Sequence, residues 1–533
     1  MTYKEIKIPA RVILSVSLFI YCAYYLSNSV LPGNDLAHPE GWWGWYDQGE
    51  YIRSAKALVR GVFFWRDHQY PPFYAAMGAL FLWIVPNHPF FFFNVVAFLV
   101  FVFVFERVAR AFTSPIEAFA LVVLGVLANY TVMSNFAIPW TTTGSALIYS
   151  ATIYQLMRRS ATTFRLKSNQ REFWSAFGFS AIFGLEVICR PVDAGAAAIF
   201  FPAYLYLSYV AAKKSGTDSP IRPLTWQVVA LGAGLLIGLS IFMAFNYALY
   251  GRVLGGYLES TAVYSGYFPF DIPRRAFSLI FDSVSIWEAP DSALIDKFPW
   301  IAISTVGMLA AIIRGHILLK VLAAAIIWQF GLYAAYGDLN PIGMWRWLNV
   351  HYFKWMFPYV ALFAWLAIRW VAVDFASRQM RTGFIKLAVL ALATSLVLGA
   401  KFHIKTFDVA SLVKQEGKTT ILVATDSRRL DFLDLRGMSG DFSQLYEGVH
   451  QLNVDGNVMK QGRDFRIFHA PWGARLLFSK TQRPKNIILT PDPRVQFARE
   501  GLGINGGAFR MGFGWPQWGR EIESSEPAAV AAK

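Results

Sequence analysis

The sequence predicts an all-α polytopic membrane bundle with a small soluble domain at its C-terminal end. Three observations predict it. Charged residues make up 16% of the 533 positions and hydrophobic residues 55%, whereas a soluble domain carries about 25% charge. Apolar runs of roughly 20 residues, the length that crosses a bilayer, recur through the first 400 positions. The charge is also uneven. Residues 403–533 hold 18 Lys/Arg and 14 Asp/Glu, whereas residues 1–402 hold only 31 and 20. The boundary therefore divides a membrane domain, 1–402, from a soluble domain, 403–533. This composition excludes a soluble enzyme, a disordered chain and a disulfide scaffold. Cys22 and Cys189 both lie in apolar segments and are not expected to pair.

Eleven apolar runs are expected to span the membrane: 12–31, 90–106, 115–134, 139–157, 173–189, 194–212, 226–249, 299–315, 318–336, 354–372 and 385–401. The first reads as a signal anchor, because its polar exit offers no small-residue cleavage site. Pro72 to Val85 is too short to cross and reads as a helix lying in the interface. With Lys4, Lys7 and Arg11 placed in the cytoplasm, the loops on that side collect an excess of Lys and Arg, as the positive-inside rule expects. The same orientation places the C-terminal domain outside. The outer segments 32–89, 250–298 and 337–353 are then the long or polar ones, and chemistry is expected on that face.

The first outer loop is the most informative. Tyr51, Ile52, Ala55, Leu58 and Val59 recur at helical spacing. Asp47 stands at the start of that helix, with Glu50 and Tyr51 three and four positions on, so the three can share a face. A carboxylate there suits proton abstraction from a hydroxyl, or a divalent cation shared with Glu50. It equally suits a plain helix cap. Trp65 to Tyr74 follows, with Pro71 and Pro72 fixing a turn that carries Asp67, His68 and Tyr70. The Asp67–His68 pair is a metal ligand or base, or simply a surface pair.

Asp47, Tyr51, Ala55, Leu58 and Gly61, followed by Tyr70-Pro-Pro-Phe-Tyr74, resemble the first outer loop of GT-C glycosyltransferases that use polyprenyl-phosphate sugars. Protein O-mannosyltransferases and the lipid A aminoarabinose transferases belong to that class. Later features resemble it too: Arg190-Pro191 at a span end, Asn246-Tyr247 to Gly251, and Trp345-Arg346 ahead of Pro358. The resemblance covers roughly residues 8–400 and implies a GT-C-like bundle of about 11 transmembrane helices plus juxtamembrane helices. It implies Asp47 as the catalytic residue. Many members place an acidic residue in the second outer loop; here that stretch reads Ala137-Ile-Pro-Trp-Thr141-Thr142-Thr143-Gly144, without a carboxylate. A divalent cation such as Mg or Mn, held by Asp47 with Glu50 or His68, is left open.

A lipid phosphate needs cations, for which Arg offers forked hydrogen bonds and Lys a point charge. Outer candidates are Arg190, Arg274, Arg275, Arg346 and Lys354, with His351 close by. Each also suits a snorkelling anchor, and Arg190 has a rival partner in Glu186 four residues earlier. In the soluble tail, 421–425, 466–469, 475–478 and 487–490 read as strands in a small α+β or mainly β domain. The stretch 501–519, with Phe509, Phe513, Trp515 and Trp518, reads as a packed loop or a sugar-stacking surface.

No Walker A loop, dinucleotide-binding glycine pattern or H-E-x-x-H is present. The positive charge is absorbed by the inner face, so nucleic acid is not an expected partner. The expected function is transfer of a sugar from a polyprenyl-phosphate donor to a glycan, lipid or protein hydroxyl, with Asp47 as base. The expected place is the outer face of a bacterial inner membrane, among membrane lipids. The substrate-binding set is Glu50, Tyr51, Asp67, His68, Tyr70, Arg190, Arg346, His351 and Lys354. A transporter or lipid-linked-sugar flippase is the alternative, and a catalytically silent relative a third reading.

Overall fold

The computed structural model describes residues 9–161, 169–214, 221–260, 272–283, 293–336, 339, 344–346, 348–408, 413–416, 420–424, 427–436, 438–439, 449–461, 463–470, 473–491, 496–497 and 503–513. Its helices in chain order are α1 (Ala10–Leu26), α2 (Tyr46–Val59), α3 (Pro72–Phe81), α4 (Phe91–Phe112), α5 (Pro115–Val122), α6 (Tyr130–Ala137), α7 (Thr141–Ser160), α8 (Asn169–Cys189), α9 (Ala197–Lys214) and α10 (Ile221–Tyr250). They continue with α11 (Gly256–Ser260), α12 (Ile272–Ile280), α13 (Leu294–Lys297), α14 (Trp300–Arg314), α15 (Ile317–Ala334), α16 (Met344–Arg346), α17 (Phe357–Ala376) and α18 (Met380–Leu398). Strands follow from Ala400 onward. Two compact units emerge: Met1–Glu259 with Ser304–Phe330 and Val350–Met380, and Ser260–Ile303 with Gly331–Asn349 and Arg381–Lys533.

The chain is a multi-pass membrane protein. Each of the eleven expected runs meets a helix. Among the described residues, seven helices are long and apolar enough to cross a membrane: α4, α8, α9, α10, α15, α17 and α18. The run 115–134 is not one rod. It is α5 and α6, bent by 63°, with a π-helical turn between them. The break is built in. Ser114 caps α5 with a reciprocal Glu117 bond, and Asn129 restarts the chain by capping α6 at Val132. α1 and α14 are apolar but shorter, at 17 and 15 residues. α7 has the length but buries hydroxyls, among them Thr142, Thr143, Ser145, Ser150 and Thr152.

In the first unit α8 and α10 approach backbone to backbone. A Cβ at Gly238 would overlap the Gly184 carbonyl, and one at Gly234 would overlap Ser180. Ser180 Oγ bonds the Ala230 carbonyl across the pair at 3.2 Å. Lipid gives helices no hydrophobic reason to associate, so small residues that allow close packing do the holding. The pair positions Arg190, which follows α8, and Asn246 and Tyr250, which close α10. α3 starts on Pro72, directly after Pro71, and ends at Phe81, short of a span.

The second unit contains the strands β1 (Ala400–Asp408), β2 (Val413–Glu416), β3 (Thr420–Ala424), β4 (Leu430–Arg436), β5 (Met438–Ser439), β6 (Val449–Val454), β7 (Asn457–Met459), β8 (Phe465–Ala470), β9 (Gly473–Gln482), β10 (Asn486–Pro491), β11 (Gln496–Phe497) and β12 (Gly503–Phe513). The described residues from Ala400 onward hold no helix, so this region is mainly β. Two antiparallel sheets, β1-β12-β4-β9-β8 and β2-β3-β10-β6-β7, share one core. Leu433, Leu435, Leu476 and Phe478 from the first meet Leu452, Val454, Ile487 and Leu489 from the second. Alternation turns Asp434 and Arg475 to the opposite face, where they form a buried fork at 2.6 and 2.8 Å. Phe277 of α12 joins Phe402, Phe432 and Phe509 on that face. The stretch expected as a loop from Gly501 is instead the long strand β12. Phe509 is buried in it and offers no sugar-stacking surface; Trp515 and Trp518 lie outside the described residues, as do Lys4 and Lys7.

Candidate active site

α2 is the first element of the site. Its start carries Asp47 in the first turn. The helix differs from the expected apolar stripe: Gln48, Glu50, Tyr51, Ser54 and Ala55 are buried, while Val59 is exposed. The polar members are inside because each finds a partner there. Gln48 Nε2 donates to the Pro139 carbonyl at 2.9 Å, tying α2 to the segment ahead of α7. Glu50 accepts from Arg53 at 2.8 Å, and its other oxygen has no partner among the described residues. Burial pushes the Glu50 carboxyl up; Arg53 opposes this, and Asp47 and Asp67 reinforce it.

The Tyr70 hydroxyl donates to Asp47 Oδ1 at 2.5 Å. Pro71 fixes the chain at that point, which is why a distant tyrosine returns to the helix start. Tyr51 packs edge-on against Tyr70, ring centres 4.9 Å apart, and is held up in pKa by burial first and Asp47 second. Burial does the same to Tyr70, again with Asp47 second. Tyr51 also lies within reach of Thr141 and in the field of Arg190, so it connects the carboxylate to the cations.

His68 is placed otherwise. Its Nδ1 meets Ser54 Oγ at 2.8 Å and its Nε2 meets the Val62 carbonyl at 2.8 Å. A carbonyl only accepts, so Nε2 carries the proton and Nδ1 takes the serine hydroxyl. Both nitrogens are occupied, and the ring acts as a staple under the loop. Tyr250 reinforces it by donating to the His68 carbonyl at 3.1 Å. Asp67 is half-buried beside it. His68 therefore turns its ring nitrogens to Ser54 and Val62 rather than to Asp47 and Glu50. Among the described residues no three His, Cys, Asp or Glu side chains gather as a metal would require.

The cations converge on the first turn of α7. Three consecutive threonines each engage a different basic residue. Thr141 Oγ1 accepts from Arg190 Nη1 at 2.9 Å; Thr142 Oγ1 meets His351 Nδ1 at 3.0 Å; Thr143 Oγ1 accepts from Lys354 Nζ at 2.6 Å. Arg190 Nε also donates to Asp193 at 3.0 Å, and its guanidinium lies over Tyr352. Gln329 supports Asp193 from α15 at 3.2 Å. Glu186, the expected rival partner, takes the Ser145 hydroxyl. The Arg190 amide still closes a helical bond onto the Glu186 carbonyl at 2.6 Å, but its guanidinium hydrogen-bonds Asp193 and Thr141 instead.

Lys354 is the telling member. It is fully buried, donates to the Asn135 carbonyl at 2.8 Å and stands 4.9 Å over the Phe136 ring. Among the described residues no carboxylate pairs with it. Burial, then Arg190, pushes its ammonium down in pKa. Burial, then Arg190 and Lys354, pushes His351 down as well. Arg346 ends α16 in the second unit, and its side chain lies outside the described residues. Arg274, also in the second unit, is spent on the Phe478 carbonyl and Asp431.

Tyr70 and Pro71 line a shallow surface cleft with Phe242, Phe245, Asn246, Tyr250 and Tyr257. Sequence reading missed the three threonines, Asp193, Gln48, Gln329 and Tyr257. A hydroxyl run directly after Pro139-Trp140, and an acid three residues past Arg190, were the available signals.

Fold and site together define a polytopic membrane protein in which an oriented carboxylate stands near a buried cluster of basic side chains. No family model matches the sequence, and no curated protein matches it. The structure is similar to the crystal structure of ArnT from Cupriavidus metallidurans bound to undecaprenyl phosphate, at 13% identity and a TM-score of 0.45. The match covers 73% of this chain and 64% of that one, just under two thirds of its length.

Proposed function

We propose that the chain is a membrane glycosyltransferase that takes a sugar from a polyprenyl-phosphate donor at the outer face of a bacterial inner membrane. The observation that carries this reading is Lys354: a buried basic side chain with no carboxylate partner among the described residues, next to Arg190, His351 and the start of α7. Burying a charge is costly unless it is paired. A ligand phosphate is the counter-ion such a pocket suits, and the positive end of α7 favours the same charge. The first-loop resemblance gives the donor class.

In this reading Asp47 Oδ accepts the proton of the acceptor hydroxyl. The freed oxygen bonds to the anomeric carbon, and the bond from that carbon to the phosphate oxygen breaks. Arg190 and Lys354 stabilise the negative charge that the departing lipid phosphate gains. A single displacement inverts the anomeric configuration. Tyr70 orients Asp47 for this task. No step is routed through a metal.

The test is product formation in detergent with a panel of polyprenyl-phosphate sugars, with and without EDTA, reading free polyprenyl phosphate by mass spectrometry. Release that disappears in Asp47→Asn, in protein that remains folded, supports the assignment. Wild-type release by Asp47→Asn would sink it. EDTA decides the metal question independently.

A further inference from the structure

His351 differs from the two cations beside it. It is 1% exposed, and its Nε2 has no hydrogen-bond partner among the described residues. Its ring is clamped flat on Trp140, centres 3.9 Å apart at 16°, and packs against Tyr352 at 4.2 Å. Its Nδ1 meets Thr142 Oγ1 at 3.0 Å. A buried imidazole nitrogen without a partner is costly, so an orphan in a basic cluster asks for a ligand.

The ring's charge state follows from its surroundings. Burial opposes a second proton, as do Arg190, just past α8, and Lys354 on the same turn. A neutral ring has one N–H, and two features choose which nitrogen bears it. Thr142 lies in the first turn of the 20-residue α7, whose amides make that end positive. A lone pair on Nδ1 suits that field, and the threonine hydroxyl can donate to it. The proton is then left on Nε2.

We infer that His351 is a neutral hydrogen-bond donor to the lipid phosphate, presenting Nε2–H to a phosphate oxygen and held in that tautomer by Thr142. The pocket thus recognises the phosphate with two basic side chains and one uncharged donor of fixed direction. This rests on the lipid-phosphate reading above. His351 contacts the ligand directly; Thr142 is a positioning residue that acts through it.

The test uses the full-length chain in detergent, with undecaprenyl phosphate as the probe. In ¹⁵N-histidine-labelled protein the His351 signal is identified by its loss in His351→Gln. Its long-range couplings report which nitrogen is protonated. The expected result is the Nε2–H form, with the Nε2 shift moving on saturation with undecaprenyl phosphate, and a mixture of tautomers in Thr142→Val. A His351 in the Nδ1–H form, or one whose signal ignores the bound phosphate, overturns the inference. Binding gives a second readout. His351→Phe keeps the stack without the donor and is expected to weaken binding about tenfold to a hundredfold. His351→Gln restores an N–H near the Nε2 position and is expected to recover most of that loss. Wild-type affinity in His351→Phe overturns the inference. Failure of the wild-type chain to bind undecaprenyl phosphate would instead overturn the underlying reading, and this ligand assignment with it. The tautomer is read without ligand, so the two failures are distinguishable.

Discussion

Lys354→Met should separate stability from function. The ammonium donates to the Asn135 carbonyl at 2.8 Å and to Thr143 at 2.6 Å, with Phe136 beneath it. Losing two such bonds costs about 1.5–3 kcal/mol each if the donor is charged. Against this, a buried ion without a counter-ion carries a penalty of several kcal/mol, which methionine relieves while filling a similar volume. The two terms nearly cancel, so the melting temperature in detergent should stay within about 3 °C of wild type. Phosphate binding has no such compensation. A unit charge at roughly 4 Å and an effective dielectric of about 20 contributes about 4 kcal/mol, near a thousandfold in affinity. Undecaprenyl phosphate binding and donor turnover should fall on that scale together. A pH signature accompanies the loss. Burial and Arg190 depress the Lys354 pKa, and a bound phosphate raises it again, so binding takes up a proton. Wild-type affinity should therefore weaken as pH rises, and Lys354→Met should flatten that slope. A variant that melts far below wild type yet binds the lipid phosphate within about twofold of it would refute the reasoning. Lys354 would then be a strut.

Gly238→Val places a branched side chain against the Gly184 carbonyl; it should cost at least about 1–3 kcal/mol and be seen as a lower melting temperature and a lower yield of monodisperse protein. Asp434→Ala leaves buried Arg475 without its carboxylate fork and should cost about 3–5 kcal/mol in a thermal melt, most of it restored in Asp434→Leu/Arg475→Met. Glu50 has a raised folded pKa, so its contribution to stability is full below its unfolded value and is lost as pH rises through the folded one. Glu50→Gln should therefore melt above wild type at about pH 8, with the gap closing towards about pH 4.

Much of the fold was legible because lipid imposes long apolar runs, and each run became a helix. The bend at Val123–Leu127 was not, since a π-turn leaves no change in hydropathy. Four short strands were visible in β-type residues near turns. β12 was hidden because its glycines read as loop, while cross-strand pairing with β1 and β4 makes it a strand. In the site, the helix start that carries Asp47 was legible from local signals, while its proposed role as base comes from the first-loop resemblance. The roles of Thr141, Thr142 and Thr143 were not, because their partners lie 49, 209 and 211 residues away. His68 illustrates the opposite limit. It is adjacent to Asp67 in sequence, yet its ring turns to Ser54 and Val62.

The threonine run changes the meaning of the missing acid. Successive helical residues point about 100° apart, so three in a row fan towards three different neighbours. That is how one helix start reaches Arg190 on one segment and His351 and Lys354 on another. A carboxylate in this loop would hold a cation and neutralise it in the same act. A hydroxyl holds it and leaves its charge intact. Arg190 keeps Asp193 as a partner, while Lys354 is met by a carbonyl, a hydroxyl and a ring. Hydroxyls rather than acids leave the start of α7 positive, and in the proposed reading the base is Asp47, across the Tyr51 ring. Opposite charges can then serve opposite ends of one displacement, the entering hydroxyl and the departing phosphate, without being spent on each other.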